Sequence, residues 1–211
     1  PDALANLLVI LLLLISIICR FPDWFICLLL IFLISYLDYN SITNICLYGF
    51  MKIFLATKNP GKISEFRQIL SGLDVELLSC NDIDIPDVEE TGTTFVENAI
   101  LKARSASITT GLPAIADDSG IEVEYINARP GVRSARYSGE NATNESNNKK
   151  LLKELSGVPH EKRNACYRCV IVFMRFPDDP FPVISTGSWH GVIAEKPIGE
   201  NGFGYDPIFF L

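Results

Sequence analysis

Positive charge is in short supply in this sequence, which has 18 lysines and arginines against 25 aspartates and glutamates. Residues 1–50 contain no lysine, and one arginine against three aspartates, so residues 51–211 carry −5 of the net charge of −7. General nucleic-acid binders need a basic surface that releases counterions. The sequence therefore predicts no nucleic-acid partner, and an anionic substrate would have to be met locally by a few lysines or a metal ion.

Histidine is scarcer still, with only His160 and His190 in the whole chain. They lie in unrelated segments, so no cysteine or serine nucleophile has a paired histidine, and a metal-activated water is the more economical attacking group. Cys166 and Cys169 have the spacing of a redox or zinc motif, but no second cysteine pair completes a metal site. In a strand their side chains point to opposite faces, which favours a structural role.

The 50 residues before the first methionine, Met51, differ from the rest of the chain. They hold two continuous apolar runs, 4–19 and 24–37, each shorter than the ~20 residues of a membrane-spanning helix. No basic segment precedes the first run, and no small-residue cleavage site is evident. Two interpretations stay open for this leader: translated upstream sequence, which we favour, and a membrane anchor. Residues 51–211 are predicted to be the functional domain.

Residues 51–211 show alternating strand and helix patterns, followed by a half that is rich in strands. Strands are predicted at 51–57, 74–79, 112–120, 121–126, 165–176, 182–195 and 206–210, and helices at 59–72, 94–111 and 147–157. Thr94 and Glu97 form a predicted capping box at the start of the second helix. This order predicts an α/β domain with a mixed sheet whose first half is covered by helices.

The first candidate binding segment joins the first strand to the first helix. Its residues are Thr57, Lys58, Asn59, Pro60, Gly61 and Lys62. Ligands of α/β sheets gather at such strand ends, and a helix start offers backbone N–H groups to phosphate. The segment is not a Walker A loop, because Ala56 and Ile63 occupy positions that need glycine and Ser or Thr. Phosphate binding and a merely capped helix both remain open for this motif by itself.

Carboxylates form the second candidate. Glu89 and Glu90 precede the long helix, and Asp117 and Asp118 follow a short apolar run at which we expect a strand to end. Mg²⁺ binds one or two carboxylates and takes its other ligands from water and phosphates. Adjacent aspartates on extended backbone point to opposite faces, so only one of the two can enter a cleft. The other is expected to cap or pair structurally.

The third candidate is the glycine-rich stretch GENGFGYDPIFF, with glycines at 199, 202 and 204. Glycine permits close approach of the backbone to a ligand. Phe203 and Tyr205 offer flat apolar faces suited to a base, and Asp206 leads into the following turn. Taken alone, such a loop is more often a simple turn. Lysines for phosphates, carboxylates for Mg²⁺ and aromatic rings for a base together predict a nucleoside triphosphate site.

On these stretches, residues 51–211 resemble the inosine/xanthosine triphosphate pyrophosphatases. The matching segments, in the order of the family, are TKNPGK, EETGTTFVENAILKA, LPAIADDSG, PGVRSARYSG, GSWHGVI and GFGYDPIFF. The resemblance implies a twisted mixed sheet in two lobes with a nucleotide cleft between them. It also implies a cytoplasmic, homodimeric enzyme that uses Mg²⁺ to hydrolyse ITP, dITP and XTP to the monophosphate and pyrophosphate, which clears them from the nucleotide pool.

The same resemblance implies a role for each matching residue. Residues 57–62 would hold the triphosphate, Asp118 would be the general base and a metal ligand, Glu89 would assist the metal, and Ser119 would contact the substrate. The nucleotide pocket would be lined by Phe203, Gly204, Tyr205 and Asp206.

Two features depart from the family pattern. The family continues beyond its DPIFF strand into a helical tail with a lysine and a Ser-His-Arg motif that contact base and phosphate, whereas this sequence stops at Leu211. The leader has no counterpart in the family pattern. Two alternatives are therefore kept: a membrane-tethered protein that binds nucleotides without hydrolysing them, and a related house-cleaning phosphatase for a different nucleotide.

Overall fold

The computed structural model describes residues 51–199 and 203–211. Both interpretations of residues 1–50, and the glycine at 202, fall outside that part of the chain. Within it, the helices are too short or too polar to cross a membrane. The described helices are α1 (Pro60–Leu70), α2 (Phe95–Thr110) and α3 (Asn144–Glu154). The strands are β1 (Met51–Leu55), β2 (Val75–Ser79), β3 (Ala114–Val123), β4 (Arg129–Pro130), β5 (Asn164–Met174), β6 (Val183–Ile193) and β7 (Phe209–Phe210).

These strands form one mixed sheet in the order β2-β1-β3-β5-β6-β7, with β4 beside the end of β3. β1 pairs in parallel with β2 and with β3, as expected for strands joined by helices. β5, β6 and β7 are added antiparallel, and only β5 and β6 are joined by a short connection. The predicted α/β mixed sheet, with helices on its first half, is confirmed.

Helix α1 begins where its capping signal predicts. The side chain of Asn59 accepts hydrogen bonds from the backbone N–H groups of Gly61 (2.9 Å) and Lys62 (3.4 Å), and Pro60 occupies the first turn. The apolar positions Ile63 and Phe66 then face the sheet and are buried. The cap and the apolar face thus fix both the start and the orientation of this helix.

Helix α2 is bounded by two local signals. The Thr94 hydroxyl accepts from the Glu97 N–H (3.2 Å), and the Glu97 carboxylate accepts from the Thr94 N–H (2.9 Å), so the predicted capping box is present. Gly111 ends the helix in the left-handed conformation, with φ 67°. On the buried face, Ala99 and Ala103 are small enough to let the helix approach the sheet closely.

The two aspartates do not mark the end of a strand, and this prediction was wrong. β3 runs without interruption through Asp117 and Asp118, and each residue from Ala114 to Val123 has a partner on β5. Gly120 is therefore not a turn residue. It allows the Ser134 hydroxyl to pack closely against β3, because a Cβ at this position would collide with that hydroxyl. Long-range pairing with β5 outweighs the local turn signal of the Asp-Asp-Ser-Gly sequence.

The two faces of the sheet carry different helices. Ile115 and Ile171 lie in one apolar cluster with Ile63 and Phe66 of α1. Ala116 and Val170, the neighbouring residues along each strand, lie in another with α2. Because side chains alternate along a strand, Ile115 and Asp117 of β3 face α1, whereas Ala116 and Asp118 face α2.

A separate core lies at the far end of the sheet, where Ile121 and Val123 pack with α3, β7 and the ends of β5 and β6. Buried Arg163 ties this region together, since its guanidinium donates to the carbonyls of Leu155 (2.7 Å) and Ile193 (2.7 Å). The two cores are consistent with the two lobes that the family resemblance implies.

Cys166 and Cys169 are free thiols on opposite faces of β5. The expectation that no cysteine has a histidine partner was wrong, because the pairing of β5 with β6 brings Cys166 Sγ to 3.9 Å from His190 Nε2. Burial raises the pKa of the Cys166 thiol, which disfavours the reactive thiolate.

The packing of α1 on the sheet can be tested with a variant of Phe66. Its side chain is fully buried, so Phe66→Ala is expected to lower the free energy of unfolding by about 3–5 kcal/mol through lost burial and a cavity. Urea unfolding followed by circular dichroism measures the change. Ile108→Ala on α2 is the control, because Ile108 is 63% exposed and should cost less than about 0.5 kcal/mol. Equal losses in the two variants would contradict the assigned packing.

Candidate active site

A cleft of about 670 Å³ opens along the edge of β3. β1 pairs with β3 only through Leu55 and the residue before it, and β4 pairs only with Glu122 and Val123. Among the described strands, none pairs with residues 117–121 on this side. Both faces of β3 therefore reach the cleft at this point, and Asp118 and Ser119 line it from opposite faces.

The segment 57–62 connects β1 to α1, and it contributes Asn59 and Lys62 to the cleft wall. The backbone N–H groups of Gly61 and Lys62 already donate to Asn59, so the free N–H groups expected at the helix start are occupied. Thr57 accepts a hydrogen bond from the Asn59 N–H (3.2 Å). Lys58 points elsewhere and forms an exposed ion pair with Asp87 (2.6 Å). The positive end of the α1 dipole and Lys62 remain as attraction for an anion.

Lys62 forms an ion pair with buried Asp117 on the α1 face of β3. Its ammonium group also donates to the Ser119 hydroxyl (3.2 Å). Burial tends to lower the pKa of Lys62, but the charge and hydrogen bond of Asp117 outweigh it and the pKa is raised. Asp117 is thus the structural member of the aspartate pair, and it keeps a charged lysine at the cleft wall.

Asp118 lies on the α2 face, as alternation along the strand predicts. Its two carboxylate oxygens accept from the Lys102 ammonium (3.0 Å) and from the Asn98 amide (3.3 Å), both on α2. Burial raises the pKa of Asp118, Lys102 opposes this shift, and the nearby charge of Glu90 adds to it. The carboxylate is therefore oriented by two donors and is more basic than an ordinary aspartate.

Glu90, not Glu89, reaches the cleft. The Glu90 carboxylate accepts from Lys102 (3.2 Å) and from Arg136 (2.5 Å), whereas Glu89 is exposed and is not part of the cleft wall. Burial tends to raise the pKa of Glu90, but the hydrogen bond from Arg136 and the charge of Lys102 outweigh it, and the pKa is lowered. The structure thus places the neighbour of the predicted residue at the site.

The sequence interpretation missed three of these partners: Asn98, Lys102 and Arg136. Asn98 and Lys102 are four residues apart, so they share a face of α2, and both follow the capping box. A polar pair on the otherwise apolar inner face of a helix is a signal that would have identified them. Arg136 has no such signal, because it lies in the short helical segment Gly131–Arg136 and meets Glu90 only through the fold.

The residues Phe203, Gly204, Tyr205 and Asp206 form a tight turn, the 203–206 turn, on the opposite wall of the cleft. The ring of Phe203 is 56% exposed, so it offers a flat apolar surface. Tyr205 is only 5% exposed, and its hydroxyl donates to the Ser134 carbonyl (2.8 Å). Tyr205 therefore anchors the turn more than it presents its ring, which differs from the sequence interpretation. Gly204 has φ 61°, which favours glycine.

The donor set fits a hard divalent cation. Asp118 and Glu90 both contact the single Lys102 ammonium, so their carboxylates lie within reach of one positive charge. Among residues 51–199 and 203–211, no group of three or more acidic, histidine or cysteine side chains forms a closed metal site. Mg²⁺ in proteins is commonly bound by one or two carboxylates, and water and substrate phosphates supply its other ligands.

The contribution of the buried Lys62–Asp117 ion pair to stability can be measured by removing its carboxylate. Asp117→Asn leaves Lys62 without a charged partner, so the free energy of unfolding should fall by about 3 kcal/mol. Because the folded-state pKa of Lys62 is raised above 10.5, the stabilisation is complete below pH 10.5 and is lost as the pH rises further. Denaturant unfolding between pH 7 and 11 measures both effects.

Asp87→Asn is the matched control, because it removes the partner of the exposed Lys58. Solvent screens this pair, so the unfolding free energy should be nearly unchanged. A loss in Asp117→Asn no larger than in the control would contradict the buried ion pair.

Comparison with known proteins shows which proteins this chain is similar to in sequence. The profile of the Ham1 family matches residues 53–211. A protein of Thioalkalivibrio sulfidiphilus named dITP/XTP pyrophosphatase is 55% identical over 159 residues, which cover 75% of this chain and 81% of that protein. A Shigella flexneri protein of the same name is 51% identical over 160 residues, which cover 76% of this chain and 81% of that protein.

Solved structures give the same result. A HAM1 protein from Coxiella burnetii superposes with a TM-score of 0.73 at 46% identity, covering 76% of this chain and 82% of that one. The Staphylococcus aureus Ham1 protein superposes with a TM-score of 0.68 at 43% identity, covering 76% and 81%. The chain therefore spans about four fifths of each of these relatives and shares their fold.

Proposed function

This chain belongs to the Ham1 family, and we propose that it hydrolyses the non-standard purine nucleoside triphosphates ITP, dITP and XTP to the monophosphate and pyrophosphate. The names of its relatives support this substrate class. The observation that carries the proposal is that two carboxylates, Asp118 and Glu90, converge on Lys102 in a cleft that Lys62 also lines. A triphosphate with a divalent cation requires this combination of charges.

The phosphates would bind between Lys62 and Lys102, near the start of α1. Both ammonium groups are mostly buried and are held by aspartates of β3, so little reorganisation is needed to meet an anion. The remaining residues of the segment 57–62 would shape this end of the cleft. Ser119, whose hydroxyl already accepts from Lys62, would contact the substrate beside them.

Asp118 and Glu90 are the residues that would hold Mg²⁺. The bound ion would neutralise phosphate charge and lower the pKa of a water molecule. Glu89, exposed and outside the cleft wall, is replaced in this role by Glu90.

Asp118 would act as the general base. Its carboxylate lines the cleft, and Lys102 and Asn98 hold its two oxygens in fixed directions. The oxygen of a water molecule bonds to the α-phosphorus, the bond from that phosphorus to the bridging oxygen breaks, and pyrophosphate leaves. The water proton passes to Asp118. General-base assistance of this kind contributes about 10²–10⁴-fold to the rate.

The purine base would lie at the other end of the cleft, against the exposed ring of Phe203 in the 203–206 turn. Removal of ITP, dITP and XTP would keep these nucleotides out of newly made DNA and RNA. A cytoplasmic homodimer, as the family resemblance implies, belongs to the same proposal.

Product analysis tests the reaction. The full chain is incubated with ITP, XTP, GTP or ATP and Mg²⁺, and pyrophosphate is measured separately from orthophosphate. We expect pyrophosphate from ITP and XTP in preference to ATP. The isosteric variant Asp118→Asn should remain folded by circular dichroism and lose about 100-fold or more in kcat, because the proton acceptor is absent. Near-normal turnover in the folded variant would contradict the role of Asp118, and release of orthophosphate alone would contradict the reaction.

The neighbouring glutamates provide a matched pair of variants for the metal site. Glu90→Gln removes a carboxylate that converges on Lys102, so kcat should fall at least about tenfold and the Mg²⁺ concentration for half-maximal rate should rise. Glu89→Gln alters an exposed side chain and should leave both values within about twofold. A larger effect from Glu89 than from Glu90 would restore the original sequence prediction.

A further inference from the structure

The 203–206 turn is held by two side chains from outside it, those of Asn148 and Tyr167, and by its own Tyr205. Asn148 on α3 donates to the Gly204 carbonyl (3.0 Å), and the Tyr205 hydroxyl donates to the Ser134 carbonyl (2.8 Å). Tyr167 on β5 donates its hydroxyl to a carboxylate oxygen of Asp206 (2.9 Å). The first two contacts anchor the backbone of the turn, whereas the third fixes its only charged side chain.

Asp206 connects this contact to Phe203. One carboxylate oxygen accepts from Tyr167, and the other accepts from the Phe203 N–H (2.9 Å). The Asp206 N–H in turn donates to the Phe203 carbonyl (3.1 Å), which closes the turn. Rotation of the carboxylate would break both of its hydrogen bonds. The position of the exposed Phe203 ring therefore depends on Tyr167 through Asp206.

Tyr167 is itself held rigidly. It lies between Ile121 and Trp189 on the neighbouring strands, and its ring packs edge-on against Phe209 at 4.8 Å. Burial raises the pKa of Tyr167, and the charge of Asp206 raises it further, so the hydroxyl stays protonated as a donor. A fixed, protonated phenol is well suited to orient an ionised carboxylate.

We propose that Tyr167 is a positioning residue for recognition of the purine base, acting through Asp206 to hold Phe203 at the cleft wall. This inference rests on the proposed function for the identity of the ligand as a purine nucleotide. Tyr167 also lines the cleft, but its hydroxyl is engaged by Asp206, so the effect of the hydroxyl on the base is indirect. The phosphate end of the cleft, at Lys62 and Lys102, does not depend on it.

The test compares ligands for the two ends of the cleft. Calorimetric titration of the full chain with IMP reports on the base end, and titration with pyrophosphate reports on the phosphate end. Tyr167→Phe removes only the hydroxyl, so Phe203 must be ordered when the base binds, and ordering a side chain costs up to about 1.4 kcal/mol, or about tenfold. The Kd for IMP should rise about tenfold while that for pyrophosphate stays within about twofold. In ITP hydrolysis, KM should rise similarly with kcat changed less than about threefold.

Tyr137→Phe is the matched control. Tyr137 also donates to a carboxylate, that of Glu154 (2.8 Å), but it is not part of the cleft wall. Both Kd values should be unchanged in this variant. A double-mutant cycle with Asp206→Asn tests whether Tyr167 acts through Asp206. Once the Asp206 charge is removed, adding Tyr167→Phe should change the Kd for IMP little further. If Tyr167→Phe does not fold, Asp206→Asn alone must show the selective loss of IMP binding.

Three binding results would contradict the role of Tyr167. Unchanged IMP binding in folded Tyr167→Phe, equal weakening of IMP and pyrophosphate, or the same loss in Tyr137→Phe would overturn it. A wild-type protein that binds IMP and shows the selective effect but hydrolyses neither ITP nor XTP would refute the proposed function alone. A wild-type protein that binds no IMP would overturn this inference alone, because pyrophosphate release from ITP or XTP tests the proposed function independently.

Discussion

Two adjacent aspartates on one unbroken strand constrain the whole site. Alternation along β3 sends Asp117 towards α1 and Asp118 towards α2, and the end of β1 at Leu55 leaves this stretch open to the cleft. Buried carboxylates require partners, since an unpaired buried charge is strongly unfavourable. One lysine from each helix supplies them, Lys62 from α1 and Lys102 from α2. A chain with a net negative charge thereby places two lysines, each paired with a carboxylate, at the cleft where an anion would bind.

The surrounding structure serves to hold these lysines in place. The Asn59 cap fixes the start of α1 three residues before Lys62, and the capping box of α2 fixes the register of Asn98 and Lys102. Small residues on the inner face of α2 bring that helix close enough to β3 for both side chains to reach Asp118. Stability and chemistry therefore depend on the same contacts.

The opposite wall of the cleft is held by hydrogen bonds instead of ion pairs. The 203–206 turn is anchored by its own Tyr205, which is buried in the second core, and is oriented by side chains from β5 and α3. A binding surface on a short turn gains precision when rigid elements support it. The end of the cleft at Lys62 and Lys102 is thus organised by charge, and the end at Phe203 by hydrogen bonds that fix the backbone.

The sequence by itself determined the boundaries of α1 and α2, the mixed sheet and the opposite directions of Asp117 and Asp118, because caps and side-chain alternation act over a few residues. It placed α3 at 147–157, three residues late, because the Thr143 cap was not recognised. It also located the segments that form the cleft. Only the tertiary structure decided that β3 continues through the aspartates, that Glu90 and not Glu89 enters the site, and that Tyr205 is an anchor. These features depend on pairing with β5 and on partners such as Arg136, which are distant in sequence. Local pattern cannot encode which distant side chain meets a given carboxylate, since the fold alone sets that distance.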